Sequence, residues 1–140
     1  MNQWLVVGIT ALMPMVVGFA WYHKALFGNA WMQSIGKTEE DIQQGNMPVT
    51  FGVSFIMAFI VSMMLYYILH GNPEHGTDGL SEWMHGAFHG VQIAGMLAVP
   101  VLVSNSLFEQ KSWTNILING AYWIVAFAAM GAVCGALGAS

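Results

Sequence analysis

The sequence predicts an all-α fold, a four-helix transmembrane bundle with a short interfacial helix in the first loop, as a single domain over residues 1–140. Composition is the first reason: 56% of the residues are hydrophobic and 7% are charged, whereas soluble domains carry roughly 25% charged residues. The second is four apolar stretches of about 20 residues, the length that crosses the hydrocarbon layer. None alternates like a barrel strand, so each satisfies its backbone as a helix.

The predicted helices cover about residues 4–22, 49–69, 83–103 and 116–137. The first lacks a basic start and a small-residue cleavage site and is too long for a signal-peptide core, so it is expected to be retained as a span. Prolines in the first and third helices, Pro14 and Pro100, are expected to permit bending. Tryptophans lie near the helix ends and are interpreted as interfacial anchors: Trp4, Trp21, Trp31, Trp83, Trp113 and Trp123.

The first loop contains the predicted interfacial helix. Thr38 can cap its N-terminus, three acidic residues at 39–41 suit the positive end of the helix dipole, and Gly45 can stop it before Pro48. Ile42 gives it an apolar side. We therefore expect this helix to lie on the membrane surface.

Lysine positions predict the orientation. Lys24 and Lys37 lie in the first connection and Lys111 lies in the third, while the termini and the central connection carry none. The positive-inside rule then places both lysine-bearing loops in the cytoplasm and both termini outside. The expected location is the bacterial inner (cytoplasmic) membrane, crossed several times.

Several function classes find no support in the residues. There is no arginine and only three lysines, so no surface for nucleic acid is predicted. The single cysteine, Cys134, cannot form an intrachain disulfide and is interpreted as a small core residue. No nucleophile motif or phosphate loop is present, which favours a protein that is not an enzyme and implies no particular cofactor.

A polar stripe on the third helix is the strongest functional signal. Glu82, His85, His89 and Gln92 are spaced by three, four and three residues and so share one helical face. In lipid this face must meet protein or water, with Glu82 the wettest member and Gln92 the most buried. His70, together with His75 of the central loop, would approach from the same side of the membrane.

Three interpretations of the stripe remain open. His85 and His89 can hydrogen-bond to neighbouring helices as structural contacts. Their spacing also lets two imidazoles share a metal or haem, with these two histidines as the candidate ligands. Alternatively the stripe lines a path for protons or a small solute.

Two glycine pairs predict close helix packing. Gly86 with Gly90 and Gly131 with Gly135 have the four-residue spacing that lets helix backbones approach. The contact is expected either within the chain or in a homodimer. Expected partners are membrane lipid and a homo-oligomer or larger membrane complex.

Distinctive segments of the chain resemble a known family. They are residues 21–31 (WYHKALFGNAW), 36–40 (GKTEE) and 85–90 (HGAFHG), with Leu107-Phe108-Glu109 and a tail from Asn119-Gly120. With these segments, the sequence resembles the bacterial domain-of-unknown-function family DUF1761 over the whole chain. The resemblance implies a small four-helix membrane protein and brings no activity with it.

The sequence therefore favours a small membrane protein that acts as a structural or accessory subunit of a membrane assembly. One alternative is a transporter or channel for a small solute or proton. The other is a metal- or haem-binding redox protein using His85 and His89.

Overall fold

A computed structural model describes residues 1–72 and 79–139, and in these ranges every regular element is helical. The helices are α1 (Gln3–Trp21), α2 (Gly28–Ile35), α3 (Glu39–Gln43), α4 (Met47–His70), α5 (Glu82–Ile93), α6 (Val99–Phe108) and α7 (Trp113–Gly138). A π-helical segment, Ala94–Ala98, joins α5 to α6. His75 and Thr77 lie outside the described residues.

Four spans in the described residues are long and apolar enough to cross a membrane, which confirms the predicted fold class. They are α1, α4, the continuous helix Glu82–Phe108 and α7. The last begins three residues earlier than predicted because the Ser112 side chain accepts a hydrogen bond from the Asn115 amide and caps it. Asn46 caps α4 in the same way through the Val49 amide.

The first connection contains two helices where the sequence predicted one. In the predicted helix, now α3, the Thr38 hydroxyl accepts from the Asp41 amide while the Asp41 carboxylate accepts from the Thr38 amide. These bonds lower the pKa of Asp41 below its usual value. The additional helix, α2, ends at Gly36, whose φ of 67° is the left-handed conformation that glycine adopts without strain.

Helix α7 is the centre of the bundle and packs against α5, α1 and α4. The buried core joins all four spans; its members are Val6, Leu65, Leu69, Ala94, Phe127, Met130 and Cys134. Large apolar side chains cover much of the outside. Apolar side chains on the outside are the reverse of the usual arrangement in soluble proteins and suit a protein whose solvent is lipid.

The α5–α7 contact is made backbone to backbone at the predicted glycines. A methyl group on Gly86 would overlap the carbonyl oxygen of Gly131, and one on Gly131 would overlap that of Gly86. Gly90 similarly faces the Phe127 carbonyl, and Gly135 faces the Glu82 carbonyl. Of the two expected alternatives, the structure shows the one in which these glycines pack within a single chain.

Candidate functional site

The polar stripe of α5 is divided between the interior and the outside. His85 is buried and His89 is half-buried, and their rings meet edge to face with centroids 4.6 Å apart. Glu82 is exposed at the first turn of α5, as expected for the member nearest the interface.

Gln92 differs from the expectation that it would be the most buried member of the stripe, because it is exposed. The buried face of this helix follows Gly86, Gly90 and Ala94, which recur every four residues and drift around the axis. Two residues before Ala94, the side chain of Gln92 projects about 160° away from it. The stripe and the packing face therefore diverge along the helix.

His70 lies at the end of α4, where its ring packs against Gly138 of α7. Its Nδ1 lies 3.2 Å from the Tyr66 carbonyl oxygen. Within residues 1–72 and 79–139, no three histidine, cysteine, aspartate or glutamate side chains come together as a group that could hold a metal ion. The structure thus brings His85 and His89 into contact but does not gather the five predicted residues into one ligand set.

A large groove lies elsewhere, between α4 and α6. Its volume is about 1410 Å³, and α1 and α7 form its back wall. None of Glu82, His85, His89 and Gln92 lines it. Helices α2 and α3, which lie in the first connection, close one end of the groove with Trp31, Met32 and Ile42.

Polar side chains on both side walls of the groove are confined to the end near the lysine-bearing connections. There, α4 contributes Thr50 and Ser54 together with the apolar Met47, Phe51 and Val53, and the opposite wall contributes Asn105 and Ser106 of α6 and its C-cap residue Glu109. Both walls are apolar deeper in the bundle: α4 presents Met57, Ala58 and Val61, and the opposite wall presents Leu102 and Val101 of α6 and Ala98 of the π-helical segment. The groove is therefore amphipathic along the membrane normal.

Aromatic rings line the back wall in an unbroken series. Trp31 meets Tyr22 at 5.3 Å between ring centroids, and Tyr22 meets Tyr122 at 5.2 Å. Trp123 follows at 4.9 Å from Tyr122, and Phe127 at 5.8 Å from Trp123. Rings in contact hold one another in place, so this wall is stiff and mostly apolar.

Hydrogen bonds fix the back wall at two points. The Tyr122 hydroxyl donates to the Pro14 carbonyl oxygen at 2.7 Å. Gly18 lies beside this hydroxyl, and a methyl group there would stand in ordinary van der Waals contact with it at 3.4 Å. The Tyr22 hydroxyl donates to Asn119 Oδ1 at 2.6 Å.

The Tyr22 bond begins a polar chain that ties the first connection to α7. Asn119 Nδ2 donates to Asn115 Oδ1 at 3.2 Å, and Asn115 Nδ2 donates to Ser34 Oγ of α2 at 3.1 Å. Trp21 Nε1 donates to the Ile118 carbonyl at 3.1 Å. The predicted anchor Trp21 is thus partly buried in a helix contact, while Trp4, Trp83 and Trp113 are exposed at span ends.

The π-helical segment shapes the deep end of the α6 wall. The Val99 amide donates to the Ala94 carbonyl, five residues back, and Pro100 has no amide hydrogen with which to continue the regular ladder. Ala98 at the end of this segment lines the groove. Pro100, which was expected to permit bending, thus lies just after a π-helical segment in the third span.

The groove was missed at the level of sequence, although two signals for it were present. Thr50 with Ser54 and Asn105 with Glu109 are polar pairs at four-residue spacing, the first inside the second span and the other at the end of the third. Each pair marks a polar helical face. The packing of α4 and α6 around α7 decides which helical faces meet across a cavity. Residue spacing within one helix does not contain that information.

Comparison with known proteins identifies a family and nothing finer. The model of a family described as "protein of unknown function (DUF1761)" matches residues 5–135. No curated protein and no solved structure matches the chain.

Proposed function

Because the chain belongs to DUF1761, a family of proteins of unknown function, we propose its function from its geometry: it is a small accessory membrane protein that holds an amphipathic molecule of the bilayer in the groove between α4 and α6. The observation that carries the proposal is that the polar side chains of both walls lie at one end of the groove. Thr50 and Ser54 line the α4 wall at the end where Asn105, Ser106 and Glu109 line the other, and the deeper residues of both walls are apolar. A molecule with a polar head and a hydrocarbon tail satisfies both layers.

Energetics favour an occupied groove. In lipid, no hydrophobic effect draws α4 and α6 together, because the lipid tails are as apolar as the helix surfaces. The molecule with the most favourable packing contacts therefore occupies the space between the two helices. A wall of mutually packed rings loses little freedom when a tail lies against it. The aromatic series from Tyr22 to Phe127 thereby offers a bilayer molecule a better-defined surface than the surrounding chains do.

The other functions considered from the sequence have weaker support. A transport path along α5 would need its polar stripe to line one cavity, whereas Glu82 and Gln92 are exposed and the stripe lies apart from the groove. A redox role through His85 and His89 would need further ligands, and no group of three possible ligands forms within the described residues. The observations favour binding over both.

A blocking substitution in the groove tests the proposal. Ser54→Phe places a ring between the two walls, and Ser104→Phe makes the same change at an exposed α6 residue that does not line the groove. Binding of hexadecanol to the detergent-solubilised protein is measured by native mass spectrometry. We expect Ser54→Phe to weaken binding about tenfold, since the tail loses apolar contact area, and Ser104→Phe to leave it unchanged.

Two results would contradict the proposal. One is equal weakening by the two phenylalanines, which would assign hexadecanol to the general lipid surface. The other is no saturable binding to the unaltered protein. Thermal unfolding of both variants shows whether the bundle remains intact.

We further propose that the protein lies in a bacterial inner membrane with both termini outside and that, as an accessory subunit, it joins a larger membrane complex or homo-oligomer. The lysines support the orientation, because Lys24, Lys37 and Lys111 all lie in the first and third connections. The lipid-like outside of the bundle supports a helix partner in the membrane plane.

Cysteine labelling of intact cells tests the orientation. After Cys134 is replaced by alanine, single cysteines are introduced beside Lys37 and at Thr77. An impermeant maleimide should modify the cysteine at position 77 and spare the one beside Lys37 until the cells are lysed. The reverse pattern would invert the topology.

A further inference from the structure

The charges at the polar end of the groove distinguish among possible head groups. The charged side chains lining it, histidine aside, are Lys24, Glu39 and Glu109. Lys24 is already engaged in an ion pair with Glu39 across the first connection. The carboxylate of Glu109 remains, so the net charge of these three groups is one positive and two negative, or −1.

Glu109 also has a polar neighbour on the same wall. Asn105 lies one helical turn before it on α6, and both side chains are exposed to the groove. Among residues 1–72 and 79–139, neither side chain is engaged in a hydrogen bond or ion pair. The α6 wall therefore presents a carboxylate and an amide oxygen, and an ammonium group can donate to both.

An anionic head finds no unpaired lysine among the groove-lining residues, and His23 is the other basic side chain there. Phosphate and carboxylate groups are normally bound by clustered cations or by helix N-terminal amides aimed at them. The groove contains one lysine, and its charge is neutralised by Glu39. A second negative charge beside Glu109 would be repelled in the reduced dielectric of the membrane interface.

From this complementarity we propose that the groove selects amphipathic molecules whose head is a positively charged amine, with Glu109 as the residue that determines the selection. The inference rests on the proposed function and adds the ligand class. The ammonium lies between Glu109 and Asn105, and the hydrocarbon tail runs past Leu102 and Val101 towards the aromatic wall. Lys24 remains paired with Glu39 when the groove is occupied.

Three probes with the same chain test this selection: hexadecylamine, hexadecanol and palmitate. Binding of each to the detergent-solubilised full-length protein is measured by native mass spectrometry at neutral pH. We expect the amine to bind about threefold more tightly than the alcohol, the size of effect that one exposed ion pair gives, and the carboxylate to bind most weakly. Added salt should reduce the advantage of the amine.

Glu109→Gln should abolish the difference between amine and alcohol, and the ratio of their two dissociation constants measures it. The matched control is Glu40→Gln, which removes the same charge from an exposed α3 residue that does not line the groove. It should preserve the preference. Equal binding of the amine and the alcohol by the unaltered protein, or a preference that survives Glu109→Gln, would overturn the head-group inference while the proposed function stands. Failure of all three probes to bind would overturn the proposed function itself.

Discussion

Alanine at Gly131 is expected to destabilise the bundle by about 3 kcal/mol or more. The added methyl group would overlap the Gly86 carbonyl oxygen on α5, and backbone cannot rotate away as a flexible side chain can. The two helices must separate, and the neighbouring contacts of Gly90 and Gly135 separate with them. Unfolding in mixed detergent micelles by increasing the fraction of sodium dodecyl sulfate measures the loss.

Gly52→Ala is the matched control, because the same methyl group on α4 meets nothing within 4 Å. Alanine is the better helix former by about 0.5–1 kcal/mol, so this variant should be as stable as the unaltered protein or more so. The two substitutions thus have opposite expected signs. Membrane insertion, measured by resistance to alkaline extraction, should be intact in both, since alanine does not reduce hydrophobicity.

Gly86→Ala extends the test to the other helix. Each glycine faces the carbonyl of the other, so once one methyl group has moved α5 from α7, the second adds a smaller loss. The double variant should therefore be less destabilised than the sum of the single variants. Additive losses, or a Gly131→Ala protein of unchanged stability, would show that the helices do not make this contact.

Asn119→Ala is the second large expected effect, a loss of about 2 kcal/mol. Its side chain accepts from the Tyr22 hydroxyl and donates to Asn115, which in turn holds Ser34 of α2. Alanine leaves the Tyr22 donor and the Asn115 acceptor without these partners in a partly buried position. The same micelle titration measures stability, and hydrogen exchange measures how firmly α2 is held.

The part of the protein in which amide exchange accelerates distinguishes loss of the polar chain from a general loss of stability. Amide exchange should accelerate in α2 (Gly28–Ile35), which the polar chain ties to α7, and remain unchanged in the core of α4. Asn29→Ala is the control, because Asn29 is exposed on α2 and its side chain forms none of these bonds. If α2 exchanges at the same rate in Asn119→Ala and Asn29→Ala, the polar chain does not hold the first connection.

Hydrophobicity and local hydrogen bonding made the elements of this fold predictable. About 20 apolar residues in a row predict a helix able to cross a membrane, and four such helices appear where the sequence places them. Thr38 and Asp41 are three residues apart, so their reciprocal cap depends on no distant part of the chain. The glycine pairs likewise signalled a close approach, although not the partner helix.

The candidate site was less accessible to such reasoning. Glu82, His85, His89 and Gln92 share one face of an ideal helix, yet His85 is buried and Gln92 is exposed. The contact with α7 follows residues four apart and turns away from a stripe spaced by three, four and three. Helix periodicity places these residues on one face and does not say how far along the helix that face stays buried.

By itself, the sequence determined that this protein forms four long apolar helices that could cross a membrane, because the solvent preference of each segment is a property of its own residues. Only the tertiary structure decided that Thr50 and Ser54 stand across a groove from Asn105 and Glu109. These pairs lie on helices more than 50 residues apart in the chain. What they face is set by how α4 and α6 pack around α7, and the packing depends on the shapes of all the helices together.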